Sequence, residues 1–442
     1  MESLIIWSVT VLVMVLLFIP YFIKFRREHN KNIQRKAEAE ELGLNRPRAQ
    51  FPFINEASCI GCGSCVRACP EGDVLGVVFG KAHVINGLRC VGHGLCEDAC
   101  PVGAIEVGLG DIKTRDDIPL MDDYYQSTVQ GIYIAGELGG LSLIRNAISQ
   151  GERVINHIAG ELSEKTDGDI YDVIIVGAGP AGLTAALTAN HKDLSYLLLD
   201  QYDAGGTILQ YPRKKLVMAQ AVEIPFYGKL KKSEIAKEDL LAIWQEIIDK
   251  HKLQIRSKTK VTGIQKINSH FKVDTDKGAY MARRIVLALG RRGSPRKLQV
   301  PGEDKPKVAY QLVDAQSYRN KQIMVVGGGD SAVESAIGLA RQSGNKVTVS
   351  YRKEKFFRIK KKNEDRFNEL HRKGKIKAIF NSNVIEIRDD TVILKQSEKN
   401  IEIPNDYVFI FAGGIPPFKM LKEIGIEFGG EKGPDRVEKK AG

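Results

Sequence analysis

Between residues 4 and 23 the chain runs LIIWSVTVLVMVLLFIPYFI, with no charged position, and then the pattern reverses to Lys24, Arg26, Arg27, Lys31, Arg35 and Lys36. A run of this length is enough to cross a bilayer as a helix, so a transmembrane helix over 1–23 is predicted, followed by a basic connector over 24–50. The other flank offers only Met1 and Glu2, so the positive-inside rule puts everything after residue 24 in the cytoplasm of a single-pass cell-membrane protein. A cleaved signal peptide would need a basic start and a small-residue cleavage site, which the run lacks. From residue 170 onward apolar strand patterns alternate with helical ones, and this predicts an α/β region with parallel sheets.

The stretch between these two regions carries the strongest chemistry. It reads Cys59-Ile-Gly-Cys62-Gly-Ser-Cys65-Val-Arg-Ala-Cys69-Pro70 and then Cys90-Val-Gly-His93-Gly-Leu-Cys96-Glu-Asp-Ala-Cys100-Pro101, and it holds all seven cysteines of the chain. The first run has the C-x2-C-x2-C-x3-C-P spacing of two-cluster bacterial ferredoxins, in which the fourth cysteine ligates the other cluster. Cluster I is assigned to Cys59, Cys62, Cys65 and Cys100. Cluster II is assigned to Cys69, Cys90 and Cys96, with His93 in the fourth position. Two readings of that position stay open: a neutral imidazole ligand, which would raise the potential, or a three-iron cluster that His93 does not ligate. Disulfides are disfavoured in a reducing compartment, and zinc knuckles lack the interlocked C-P pattern.

Two dinucleotide motifs follow. Tyr171-Asp-Val-Ile-Ile-Val leads into Gly177-Ala-Gly179-Pro180-Ala181-Gly182, and a second strand ends at Asp200. The glycines let a pyrophosphate sit on the helix N-terminus, and the acid suits adenosine ribose hydroxyls. A second turn, Gly327-Gly-Gly329-Asp330-Ser331-Ala332, is followed by a strand ending in Arg352 and Lys353 rather than an acid. Cations there suit a 2′-phosphate, which favours NADPH over NADH. Two such sites on one chain point to FAD exchanging hydride with a nicotinamide, and to no general acid or base among the side chains, so no catalytic residue is assigned.

With Gly205-Gly206, Gln210-Tyr-Pro212, Ala288-Leu-Gly290 and Pro301-Gly-Glu303, these motifs resemble the thioredoxin-reductase-like flavoproteins over residues 118–442. That group includes ferredoxin–NADP reductases and bacillithiol-disulfide-reductase-like proteins. The resemblance implies flavin contacts from Gly206 and Gln210 and a 2′-phosphate contact from Arg358. Thioredoxin reductases proper carry a C-x-x-C pair before the second glycine turn. Here residues 308–314 hold none, so the ferredoxin-reductase-like branch fits better. The family's closing strand and helix are not found at the C-terminus, yet residues 129–158 look like them. A circular permutation is therefore expected, as against an unrelated βα connector, with Gly136 and Glu137 near the ribityl chain and Asn146 and Ala147 facing the isoalloxazine.

The expected fold is thus α/β, with two Rossmann-like domains preceded by a small α+β ferredoxin-like domain and one transmembrane helix. Its divisions are 51–110 (ferredoxin-like), 111–293 (FAD, with 118–165 permuted and 170–293 the Rossmann core), 294–410 (NAD(P)H), and 411–442 (return to the FAD domain and polar tail). A formal charge of +11 raises the question of nucleic acid, but no aromatic platform or binding motif supports one. The expected function is a membrane-anchored NAD(P)H-dependent flavin and iron–sulfur oxidoreductase, serving a ferredoxin, a quinone or a membrane redox complex. Reduction of a small disulfide at the flavin, a non-catalytic redox sensor and assembly as a homodimer stay open.

Overall fold

In the computed structural model, the described residues are 2–41, 50–109, 116–140, 143–162, 170–213, 215–218, 222–230, 235–291, 293–357 and 359–430. They form two compact units. One takes in residues 1–110 with 360–362, and the other residues 111–359 and 363–442.

The first unit opens on α1 (Glu2–Glu41), which contains Pro20. Among the described residues no helix is long and apolar enough to cross a membrane, which corrects the transmembrane helix expected over 1–23. The helix also does not stop at residue 24 but runs on through the charged half. The side chains of Leu4, Ile5, Ser8, Val9 and Leu17 in the apolar run lie outside the described residues. The charged half has a specific seat. Arg35 makes a two-pronged contact with Asp73 at 2.6 and 3.2 Å, and the His29 ring meets Phe79 edge-on at 5.3 Å. The rest of this unit is two antiparallel pairs, β1 (Gln50–Ile54) with β4 (Ile105–Leu109), and β2 (Leu75–Val78) with β3 (Lys81–Val84). Two short helices, α2 (Ser64–Ala68) and α3 (Leu95–Asp98), each follow a glycine in the left-handed region.

Among the described residues the second unit holds two large sheets. In the first, β6 (Ile170–Val176), β7 (Tyr196–Leu199) and β8 (Ile255–Arg256) run parallel, while β9 (Val261–Ile267) and β10 (His270–Thr275) continue antiparallel through β11 (Gly278–Leu287). A further strand, β5 (Ile132–Ile134), pairs parallel with β11. It leads to α4 (Ile144–Glu161), which packs on α5 (Pro180–His191) so closely that a side chain at Gly151 would strike the Ala181 carbonyl. The opposite face carries a core with Ile132, Ile174, Phe271, Leu421 and Phe428. Phe428 comes from the chain's last described stretch, after α9 (Phe418–Glu423). That stretch is bonded to the start of the unit: Leu120 N–H donates to Glu427 O at 2.9 Å, and Gly429 N–H to Ile118 O at 3.2 Å.

The second sheet is wholly parallel, in the order β12 (Val308–Ala309), β19 (Tyr407–Ile410), β13 (Gln322–Val326), β14 (Lys346–Tyr351) and β15 (Ile376–Phe380). It carries α7 (Asp330–Ala340) and α8 (Lys361–Arg372), and a small antiparallel sheet of β16 (Ser382–Ile387), β17 (Thr391–Gln396) and β18 (Lys399–Pro404). The chain passes between the two large sheets twice, and the passages pair at Ser294–Pro295 with Gly414–Ile415. The first crossing follows β11 and the second follows β19.

Phe428 is 1% exposed in the first sheet's core. Phe428→Ala should therefore cost about 3–5 kcal/mol. In differential scanning calorimetry the second unit's transition should drop by several degrees while that of the cysteine-bearing unit holds.

Candidate iron–sulfur and dinucleotide sites

The fold divides the cysteines into two sets that cut across sequence order. Cys59, Cys62 and Cys65 share one cavity with Cys100, and Cys69 shares another with Cys90, Cys96 and His93. Among the described residues no three or more His, Cys, Asp or Glu side chains close up enough to hold a single metal ion. The two sets are the ones that the interlocked spacing assigns to two multi-iron groups.

Backbone geometry makes this possible. Gly61 has φ 69°, and a Cβ there would strike the Gly80 carbonyl at the tip of the β2–β3 hairpin. The same hairpin supplies Lys81, whose Nζ donates to Cys59 O at 2.6 Å, and the Ala82 N–H, 3.4 Å from Cys59 Sγ. Ala104 N–H donates to Cys100 Sγ at 3.2 Å. Such N–H···S bonds favour the electron-rich sulfur and tune cluster potential upward. Burial pushes the Cys96 thiol up to about 11 and raises those of Cys65, Cys69 and Cys90. Thiolates in such surroundings need a cation to form, which suits iron ligation. Cys62 differs. It is exposed, and a hydrogen bond with Ser64 lowers its thiol.

His93 Nε2 lies 3.9 Å from Glu71 Oε1, and both side chains are largely buried. Glu71 was not singled out from sequence; its position just after Cys69-Pro70 was the available signal.

In the second unit the first glycine turn joins β6 to α5. A Cβ on Gly182 would collide with the Gly177 carbonyl, so strand and helix touch through backbone alone. Gly179 is the N-cap, Pro180 and Ala181 start the helix, and Gly206 packs against Gly179. Asp200 immediately follows β7, where one oxygen accepts from Ala178 N–H at 2.6 Å and the other from Tyr202 N–H at 2.7 Å. An open cleft extends from Gly177 and Asp200 past Thr259, Lys260, Pro416 and Lys419. Sequence reasoning missed Thr259, Lys260 and Lys419, which come from distant segments. Thr259 N–H donates to Asp200 O at 2.7 Å, so the strand end positions it.

Gly136 comes to the same turn: its N–H donates to Gln150 Oε1 at 2.7 Å, and a Cβ would lie 3.1 Å from Ala181 Cβ and 3.9 Å from Ala147. Glu137 starts a short 3-10 turn there, and Gln210 ends another that begins at Gly206. Asn146 has a buried Nδ2 without a protein partner. An open cleft and an unused buried donor fit FAD.

The second turn joins β13 to α7. Gly327 has φ 142°, Gly328 lies under the Tyr351 ring, Gly329 caps α7 and Asp330 begins it, followed by Ser331 and buried Ala332. Arg352 and Lys353 are exposed just past β14, with Lys353 Nζ 5.0 Å over the Phe357 ring. Arg358 lies outside the described residues.

These sites can be set beside known proteins. Residues 174–440 match the model of the pyridine nucleotide-disulphide oxidoreductases, and residues 51–101 that of a 4Fe-4S dicluster domain. The chain belongs to the pyridine nucleotide-disulphide oxidoreductase family, and is an FAD-dependent oxidoreductase with a 4Fe-4S domain. It is 29% identical over 266 residues to the bacilliredoxin reductase Bdr of Bacillus subtilis (strain 168), covering 59% of this chain and 82% of that one. A ferredoxin–NADP reductase of Malacoplasma penetrans (strain HF-2) is 29% identical over 278 residues, again covering 59% and 82%. Among solved structures, the bacillithiol disulfide reductase Bdr of Staphylococcus aureus superposes with TM-score 0.54 at 30% identity, covering 59% of this chain and 81% of that one.

The cavity membership makes a sharp prediction. Cys100→Ser should abolish the same EPR signal that Cys59→Ser abolishes, and Cys96→Ser a different one, although Cys100 lies only four residues after Cys96. Iron content should fall by about half in each case.

Proposed function

We propose that the protein is an NADPH-oxidising flavoprotein that exchanges single electrons with a separate redox partner through two 4Fe-4S sites. The observation that carries this is the partition of all seven cysteines into two cavities, on a chain that also holds two dinucleotide turns. When bound, FAD would supply the conversion between the hydride pair of the nicotinamide and the single electrons of the clusters.

The chain's own residues divide the remaining work. Gly177, Gly179 and Gly182 bring backbone up to the FAD pyrophosphate, and Asp200 and Thr259 border its ribose. Arg352 and Lys353 receive the 2′-phosphate, and Gly327, Gly329, Asp330, Ser331 and Ala332 form the turn and first helical residues beneath the nucleotide. The exposed Cys62, with Ile60 and Val102 lining the same cavity, makes that edge of the first unit the place where a partner meets a cluster. A ferredoxin-like fold for this unit is part of the reading.

Two further elements belong to it. The segment through β5 and α4 is the family's closing strand and helix moved ahead of the FAD core. In support, β5 lies beside β11, and the segment lies ahead of residues 174–440, which the family model matches. Attachment to a membrane on its cytoplasmic side is supported by Trp7, Leu16 and Phe18, which are 70, 63 and 64% exposed, and by the cations that follow them. Reduction of a bacillithiol-type disulfide is the second reading, favoured by the match to the S. aureus reductase.

Anaerobic stopped-flow mixing with NADPH decides between them. Flavin bleaching followed by cluster bleaching is expected. Full flavin reduction with clusters that stay oxidised, and turnover on bacillithiol disulfide, would favour the second reading. Arg352→Gln should lower kcat/KM for NADPH by about 10- to 100-fold, from loss of a charge-assisted bond, and leave NADH within about twofold.

A further inference from the structure

Beside the second glycine turn lies a buried amide that no motif pointed to. Asn363 is the third residue of α8 and is 7% exposed. Its Nδ2 donates to Asp330 Oδ1 at 2.7 Å and to Glu334 Oε1 at 3.0 Å. One amide nitrogen thus uses both of its N–H bonds on two carboxylates of α7.

The place of those carboxylates gives the contact its meaning. Asp330 is the first residue of α7, and Glu334 stands four residues on, on the same face. The N-terminus of this helix is where a dinucleotide's pyrophosphate would sit. A carboxylate in the first turn suits the helix dipole, but it competes with phosphate for the same positive end. Glu334 is also paired with Lys215 Nζ at 2.8 Å. Asp330 Oδ1 is turned onto the α8 amide.

Rings fix the amide in place. Phe367, one turn further along α8, meets Phe356 edge-on at 5.0 Å, and Phe356 stacks on Tyr351 at 5.7 Å. Tyr351 in turn covers Gly328. The strand end that carries Arg352 and Lys353 and the helix that carries Asn363 are therefore held to the glycine turn by one ladder of side chains.

We propose that Asn363 is a positioning residue for the nicotinamide nucleotide. Its amide draws the Asp330 and Glu334 carboxylates against α8 and keeps the Asp330 charge off the phosphate seat at the N-terminus of α7. The proposal rests on the reading of this turn as the NADPH site. Asn363 acts on that reading through Asp330 and touches no reacting atom.

The test is calorimetric titration of the FAD-loaded full chain with 5′-ADP and with 2′,5′-ADP. Asn363→Ala should weaken both probes by about tenfold, because the repulsion acts on the phosphate they share. Arg352→Gln should weaken 2′,5′-ADP alone. Adding Asp330→Asn to Asn363→Ala should restore binding of both probes to within about twofold of wild type, since there is no longer a charge to steer. A purely structural role would not be rescued in this way. Unchanged binding in Asn363→Ala, or no recovery in the double variant, overturns the proposal. Wild-type protein that binds neither probe overturns the NADPH assignment instead. Thermal melting accompanies each variant, and Asn363→Ser, alone and with Asp330→Asn, carries the same comparison if the alanine variant does not fold.

Discussion

The constraint on which the first unit depends is the exchange of cysteines between its two runs. Cys100 must return to the cavity of Cys59, Cys62 and Cys65, and Cys69 must cross to that of Cys90 and Cys96. Neither cavity can be completed by its own run, so the two loops cannot be ordered independently. The strand pairs that flank them are short, and the unit's core cluster includes Cys59, Cys65 and Cys96 themselves. A unit whose core is partly its ligand set gains much of its folding free energy from the group those ligands hold. The thiols pushed up by burial express the same dependence, since buried thiolates without a cation are unfavourable.

The flavin unit meets a different constraint, the contact of backbone with backbone. Gly182 against Gly177 and Gly151 against Ala181 leave no room for side chains where α5 meets β6 and α4. This brings the N-terminus of α5 to the sheet edge and lets Gly136 reach the same turn from a strand that precedes β6 in the chain. The first sheet is then closed from the far side by Phe428 and Leu421, which follow the second sheet in sequence. Its cohesion therefore comes from segments at both ends of the second unit, and the second sheet is inserted through paired crossings at Ser294–Pro295 and Gly414–Ile415.

How much of this was legible depended on whether the signal was local. Cysteine spacing and glycine turns are local patterns with few alternatives, and they mark Cys59 through Cys100, Gly177 and Gly327 in the sequence itself. Groups brought in by the fold were not legible. Lys260 and Lys419 reach the FAD cleft from segments far apart in sequence, and neither carries a motif. Glu71 and Asn363 are polar residues whose roles come from what they face after folding, and in sequence each looks like any surface residue. The helix over the apolar run shows the opposite error. Hydropathy marked residues 4–23 and suggested a boundary at residue 24, whereas backbone hydrogen bonding carries the helix on to Glu41.

The charged half of α1 shows why that continuity matters. Its polar side chains do not merely solvate a linker: Arg35 grips Asp73, and Asn32 Nδ2 donates to Val77 O at 3.4 Å on the hairpin that supports the Cys59 loop. Asp73 is also held by Arg89, immediately before Cys90. One carboxylate thus ties the N-terminal helix to both cysteine runs, through the hairpin on one side and the start of the second run on the other. The pair is half-buried, with Arg89 the most enclosed of the three side chains. Its effect is geometric: the direction of α1 is fixed against the same unit whose edge exposes Cys62.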